Sequence, residues 1–252
     1  MRNKNLIIKI FIIAAVIIAV GYLLAAFVFF SENKNNDVCK SVNVSILNYD
    51  KIKMLDSKTI EDFIKKSKLN PVGKSVTKLK IETLENELLN KNPTIKSVEC
   101  YLTTSGVMNV DVKQRTPKFR VMTNSESYYV DSERKIFPVS INFSAYVPVA
   151  SGVITATFAK GELFDFISFI EKDKFWNAQI EQIYVVDNKQ IELVPRVGSG
   201  IIIFGDLTNI EKKFDKLKTL YSEGFSQIGW NRYKTIDVSL KTDQIVCTKI
   251  DR

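Results

Sequence analysis

The side chains that most often do chemistry are scarce in this chain. There is no histidine, which removes the usual general base, the Ser/His/Asp and Cys/His nucleophilic arrangements and imidazole-based metal sites. Three cysteines, Cys39, Cys100 and Cys247, lie far apart and lack metal-ligand spacing. An odd number, in a chain large enough not to need staples, argues against a disulfide framework. Cys100 and Cys247 fall in apolar strand patterns and read as small buried hydrophobes. Neither a G-x-x-x-x-G-K-[ST] phosphate loop nor a G-x-S-x-G elbow occurs. Glu171 and Asp173 have the types of an acid/base pair, but they close a lysine-rich helical segment and read as a solvated helix end. What remains is basic. Lys212, Lys213, Lys216 and Lys218 fall largely on the solvent side of one helical stretch, where they serve solvation or meet an acidic partner. No enzyme activity, cofactor or metal is expected.

The elements that must position any functional surface begin with Ile10 to Phe30, a run without charge that as a helix covers roughly 30 Å, the thickness of a bilayer's hydrocarbon core. Arg2, Lys4 and Lys9 precede it with no acid, whereas Glu32 and Asp37 mix with Lys34 and Lys40 behind it. The positive-inside bias therefore leaves residues 1–9 in the cytoplasm, makes 10–30 a single-pass anchor and exports everything after it. A cleaved signal peptide would have a shorter apolar stretch ending in small residues, and Phe27, Phe29 and Phe30 put rings there instead. Residues 31–40 are polar and Asn-rich, the composition of a linker. The chain of 252 residues, 45% hydrophobic and 25% charged, is ample for one or two cored domains. Its net charge of +8 is too mild to argue for nucleic acid.

Beyond the linker, Val42, Val44 and Ile46 alternate as a half-buried strand. Asp56-Ser57 offers an N-cap to a helix with Ile60, Phe63 and Ile64 on one face. A second helix spans about Ile81 to Lys91 and is closed by Pro93. A hairpin follows, Val98, Cys100 and Leu102 turning through Thr104-Ser105-Gly106 to Met108, Val110 and Val112. In the second half, strand-like runs cover 118–123, 127–131 and 135–139, and a helix spans about Lys160 to Lys172. Two strands, 182–186 and 190–194, flank a tight turn at Asp187-Asn188-Lys189, and 200–205 reads as a strand covered on both faces. Thr208-Asn209-Ile210-Glu211 has the spacing of a capping box for a helix running to Gly224. Two last strands span Thr235 to Leu240 and Gln244 to Lys249.

This order, strand-helix-helix-strand-strand and then a mixed sheet, coincides with a series of short words: Leu84-Glu85, Leu88, Asn92-Pro93-Thr94-Ile95-Lys96 and Val112-Lys113-Gln114-Arg115-Thr116-Pro117. Downstream come Tyr129-Val130-Asp131, Ile136-Phe137-Pro138, Val147-Pro148, Phe204-Gly205, Gly229-Trp230-Asn231, Ile236-Asp237 and Gln244-Ile245-Val246. Collinear behind an apolar anchor, they resemble the bacterial division proteins of the FtsQ/DivIB family. The fold class expected is α+β: an N-terminal transmembrane helix, a POTRA-like β-α-α-β-β domain over 41–115, and a second mixed-sheet domain with packed helices over 116–252.

The resemblance implies a non-catalytic scaffold at the division septum, in the cell inner membrane, with the bulk of the chain extracytoplasmic. It implies coiled-coil partners resembling FtsB and FtsL, with the septal synthase pair FtsW and FtsI as further partners. Partner binding is expected at the last two strands and the adjoining helix, with Lys212, Lys216, Tyr233, Ser239, Leu240, Gln244 and Val246 as its residues, because a terminal strand leaves one side of its backbone unpaired. Many family members read Ile/Val-Asp-Leu-Arg-Tyr in the penultimate strand, and this chain has Ile236-Asp237-Val238-Ser239-Leu240. The competing class is a membrane-anchored envelope enzyme or ligand-binding protein with a POTRA-like module, and the missing catalytic residue types argue against the enzyme.

Overall fold

The computed structural model describes the backbone of residues 2–32, 38–242 and 244–250, and the side chains of these except at 2–11, 29–32, 188, 226 and 228. Residues 33–37 of the expected linker therefore lie outside the described residues. The chain divides into two compact units. The first comprises Met1–Leu47, Asp56–Lys91 and Ser97–Val112, and the second Asn48–Leu55, Asn92–Lys96 and Lys113–Arg252.

The first unit opens with helix α1, Arg2–Glu32. Its described side chains, 12–28, are exposed with the exception of one half-buried position. Among the described residues no helix is long and apolar enough to cross a membrane. Strand β1, Ser41–Ile46, is followed by helix α2, Ser57–Lys66, whose first turn is capped by Asp56: its Oδ1 accepts from the Thr59 amide at 2.7 Å. Helix α3, Ile81–Lys91, precedes strands β2, Ile95–Leu102, and β3, Val107–Gln114. The sheet order is β1-β3-β2, with β1 parallel to β3 and Val44 opposite Val110. The buried side chains are those the periodicity marks: Ile60 and Ile64 on α2, Leu84 and Leu88 on α3, Met108 and Val110 on β3. Gly106 turns the hairpin at φ 86°, where a Cβ would also come within 2.9 Å of the Val38 carbonyl. Backbone pairing starts earlier than a linker over 31–40 allows. Val38 bridges Ser75, the Cys39 amide donates to the Lys74 carbonyl at 3.0 Å, and Cys39 is fully buried.

In the second unit, strands β4 (Pro117–Met122), β5 (Ser127–Asp131), β6 (Ile136–Pro138) and β7 (Val149–Gly152) precede helices α4 (Ala156–Lys160), α5 (Glu162–Lys172) and α6 (Lys174–Gln179). Strands β8 (Ile180–Val185), β9 (Ile191–Pro195) and β10 (Ile201–Gly205), helices α7 (Ile210–Thr219) and α8 (Phe225–Ile228), and strands β11 (Tyr233–Asp237) and β12 (Val246–Lys249) complete it. One mixed sheet has the order β12-β11-β10-β9-β8-β7-β4-β5-β6. The pairs β4/β7, β7/β8 and β10/β11 are parallel, which requires crossovers. Helices α4 to α6 supply one between β7 and β8, and α7 with α8 supplies another between β10 and β11. Leu163, Phe166, Ile167 and Ile170 of α5, Trp176 of α6, and Phe214 and Leu217 of α7 meet the sheet in one core.

Two of the short words acquire a physical reason here. Gln114 is fully buried; its Nε2 donates to the Ile52 carbonyl at 2.6 Å and its Oε1 accepts from the Leu55 amide at 2.8 Å. The segment 48–55 is thereby clipped on, with Ile52 and Met54 packed against Tyr129 and Phe137. Arg115 reaches Asp131 at 2.7 Å with both side chains largely shielded from water.

Several expectations are corrected. The helix expected over about Lys160 to Lys172 is α5, which starts two residues later behind Gly161, and the short α4 before it was not expected. Glu171 is not a solvated terminus but an ion-pair partner of Lys118, and Asp173 caps α6 by accepting from the Phe175 amide at 2.8 Å. The turn at 187–189 is a 3-10 turn with Lys189 at φ 59°. The capping box fails as well. Asn209, at φ 52° with no side-chain cap bond, stands at the N-cap of α7, because Thr208 is held instead by Asp206.

Candidate functional site

The end of the sheet at β12 is built from β10 inward. Gly205 closes β10 at φ 77°, and a Cβ there would stand 2.6 Å from the Cβ of Ser239, so the Phe204-Gly205 word marks a close approach that only glycine permits. Asp206 then organises the turn. Its Oδ1 accepts from the Thr208 hydroxyl at 2.6 Å and from Lys213 Nζ at 2.9 Å, and these bonds hold its carboxyl down at about 2. Lys213 is the exception among the four lysines of α7: it is buried, also donates to the Asp206 carbonyl at 2.7 Å, and lies 5.0 Å from the centre of the Phe204 ring. The expectation that it faces solvent is overturned, because its stem is covered while its ammonium is satisfied locally.

Helix α7 runs into a π-turn, Leu220–Gly224, before α8. The wide turn sets Tyr221 inside the aromatic cluster, 5.5 Å from Trp176 and 5.1 Å from Phe225 between ring centres. Burial pushes its hydroxyl up to about 12. A Cβ on Gly224 would sit 2.8 Å from Leu220 Cδ1, so this glycine admits the packing of the turn rather than ending a helix. Trp230 closes the cluster from outside, 37% exposed and 5.4 Å from Tyr221.

Strand β12 pairs antiparallel with β11, Ile236 opposite Cys247 and Asp237 opposite Val246. Among the described strands it has one neighbour and stands at the end of the sheet. Val246 is 49% exposed, Thr248 and Lys249 are exposed, and Ile245 and Cys247 pack on the core. Between the π-turn and this strand lies a groove of about 540 Å³, lined by Lys216, Thr219, Leu220, Glu223, Gly224 and Ile245. Its wall is braced by Lys216, whose Nζ donates to the Thr242 carbonyl and, at 3.5 Å, to that of Leu240.

The residues singled out from the sequence are only partly brought together. Lys216 lines the groove and binds the carbonyls of the 240–242 turn; Leu240 is 40% exposed. Gln244 is exposed but precedes β12, which begins two residues later than expected. Ser239 is turned inward, its Oγ donating to Asp237 Oδ1 at 2.6 Å. Tyr233 lies at the far end of β11, opposite Lys249. Lys212 lines a separate cavity with Phe169 and Ile210. Missed altogether were Thr219, Leu220 and Ile245. The π-turn left no mark on the sequence spacing, because the buried Phe214, Leu217, Tyr221 and Phe225 keep ordinary steps of three and four residues.

Chemistry finds little purchase. Among the described residues no group of three or more Cys, Asp or Glu side chains could hold a metal ion. Cys39 and Cys100 are buried and Cys247 half-buried, all three as free thiols. Burial, with Glu85 and Asp111 nearby, pushes the Cys100 thiol up to about 12, the opposite of an activated nucleophile.

A small β-α-α-β-β unit is joined in sequence to a mixed sheet whose end strand among the described residues, β12, stands beside a groove. Residues 37–113 match the POTRA-like domain, and residues 116–248 match the family described as FtsQ/DivIB, C-terminal related. No curated protein matches the chain significantly. The chain belongs to the FtsQ/DivIB family, whose members are non-catalytic division proteins.

Proposed function

We propose that the chain is a bitopic scaffold of the bacterial divisome, anchored in the inner membrane by α1 with its N-terminus in the cytoplasm, and that its extracytoplasmic units gather division proteins at the septum. The reading of α1 as the anchor rests on the uncharged sequence run Ile10 to Phe30 and on the exposure of Ile17, Ile18, Tyr22 and Phe27 along the helix, since side chains of that kind need a non-aqueous surrounding. In this reading 41–115 forms the POTRA-like domain and 116–252 the partner-binding domain. The partners are coiled-coil division proteins resembling FtsB and FtsL, and the septal synthase pair FtsW and FtsI follows in the same assembly.

The observation that carries the proposal is β12, a strand with one described neighbour beside a groove of mixed apolar and charged lining. Its free backbone groups accept a further strand, and a helix that follows such a strand fits against Leu220 and Ile245. Leu240, Gln244 and Val246 then give side-chain contacts, while Lys216 holds the turn that presents them. Lys212, Tyr233 and Ser239 lie at the margins. A photo-crosslinking residue placed at Val246 in living cells tests this. It should capture a small single-pass division protein, whereas the same residue at the fully exposed Ile141 should not. Capture at Ile141 alone would reject the assignment.

A further inference from the structure

Between Phe63 and Ile81 the chain holds six lysines and neither aspartate nor glutamate. Four of them, Lys68, Lys74, Lys78 and Lys80, line one cavity of about 560 Å³ whose apolar part is Leu69 and Leu79. Lys68, Lys78 and Lys80 are exposed and Lys74 half-buried. Among the described residues none of the four has a carboxylate within ion-pair distance. Lys74 Nζ instead donates to the Lys68 carbonyl at 3.1 Å. Alongside them Val72 is 45% and Val76 38% exposed. Clustered ammonium groups without a counter-charge repel one another, and aliphatic side chains standing among them are the composition of a surface that meets lipid headgroups.

The position of this surface in the chain points the same way. Ser75 bridges Val38, and the Gly73 amide donates to the Cys39 carbonyl at 2.8 Å, so the lysine-bearing loop is tied to the start of the folded unit. Helix α1 ends at Glu32, and the stretch from Glu32 to Val38 reaches at most about 20 Å when fully extended. With α1 as the anchor, the reading on which this inference rests, Val38 and the loop paired to it lie within about two Debye lengths of the bilayer surface.

We propose that the Lys68–Lys80 surface binds the anionic phospholipid headgroups of the membrane that holds the chain, seating the first unit on the bilayer. The test uses the full chain and lipid nanodiscs of phosphatidylcholine alone or with phosphatidylglycerol. Co-elution reports insertion, and amine acylation read by mass spectrometry reports contact. Lys74 and Lys78 should acylate roughly 5-fold more slowly in the phosphatidylglycerol discs at low salt, and the difference should vanish at high salt. Exposed Lys160 and Lys212 serve as references and should not change. Insertion into both discs with equal acylation of Lys74 and Lys78 overturns the proposal while leaving the anchor standing. Association with phosphatidylglycerol discs alone, with protection, supports the lipid contact and removes the anchor; association with neither removes both. Equal protection by inorganic phosphate without lipid makes the cavity a free-anion site and overturns the proposal.

Discussion

Replacing Gln114 with leucine keeps the side chain's bulk and deletes its hydrogen bonds, so its cost can be worked from two contacts. The Ile52 carbonyl loses a buried donor at 2.6 Å and the Leu55 amide a part-buried acceptor at 2.8 Å. A buried group left unsatisfied costs about 1–3 kcal/mol. The Leu55 amide, being nearer to water, recovers part of its share, which sets the expectation at about 2–4 kcal/mol. Loosening of 48–55 also releases Ile52 and Met54 from Tyr129 and Phe137, so the loss is not confined to the polar groups. Both tryptophans, Trp176 and Trp230, lie in the second unit, and their fluorescence during urea unfolding of residues 38–252 isolates that unit. With a slope of about 1–3 kcal/mol/M, the midpoint should fall by about 1–2 M. Lys113→Gln, at an exposed position, should stay within about 0.5 kcal/mol. A Gln114→Leu midpoint equal to wild type would refute the claim that this glutamine clips 48–55 to the unit.

Gly205→Ala meets both a φ of 77° and a Cβ contact of 2.6 Å with Ser239, so it should destabilise the second unit by more than about 1 kcal/mol and weaken partner capture at Val246; urea midpoints and crosslink yield check it. The Asp206 carboxyl, held at about 2 against an ordinary 3.8, contributes stability that is complete above about pH 4 and lost as pH falls through about 2. The gap in unfolding midpoint between wild type and Asp206→Asn should therefore be constant above pH 4 and close on acidification, and a gap that persists at pH 2 would contradict the assignment. Cys39 and Cys100 are buried, with thiols raised by burial, so a thiol reagent at pH 8 should label half-buried Cys247 first and the other two only on unfolding. Rapid native labelling of Cys100 would count against its placement. A periplasm-dependent reporter should work when fused after Arg252 and fail before Met1; the reverse result would invert the proposed topology.

Periodicity read the elements well wherever one face is buried against one partner. Helix α3 spans the residues expected from Ile81, Leu84 and Leu88 on one face and the stop at Pro93, and Asp56 caps α2 as its type and place suggest. Reading failed where a side chain answers to a tertiary neighbour. Thr208 and Glu211 have capping-box spacing, but Asp206 takes the Thr208 hydroxyl for a turn that must also receive Lys213. Lys213 itself is buried because a long stem can be covered while its ammonium stays bonded, which a charge pattern cannot reveal. The candidate site was legible as a region, the last strands and the helix beside them, and not as a set of residues. Its groove depends on a π-turn, and the inward turn of Ser239 depends on Asp237, an arrangement that exists only once β10 and β11 lie side by side.

The central claim is that β12 receives a partner's backbone, and amide hydrogen exchange on the purified chain reads it directly. On adding the extracytoplasmic segment of the proposed coiled-coil partner, residues 246–249 should gain strong protection, with smaller gains across the groove at 216–224. Unchanged exchange at 246–249 in a complex that demonstrably forms, with protection appearing instead in the first unit over 97–112, would contradict the account.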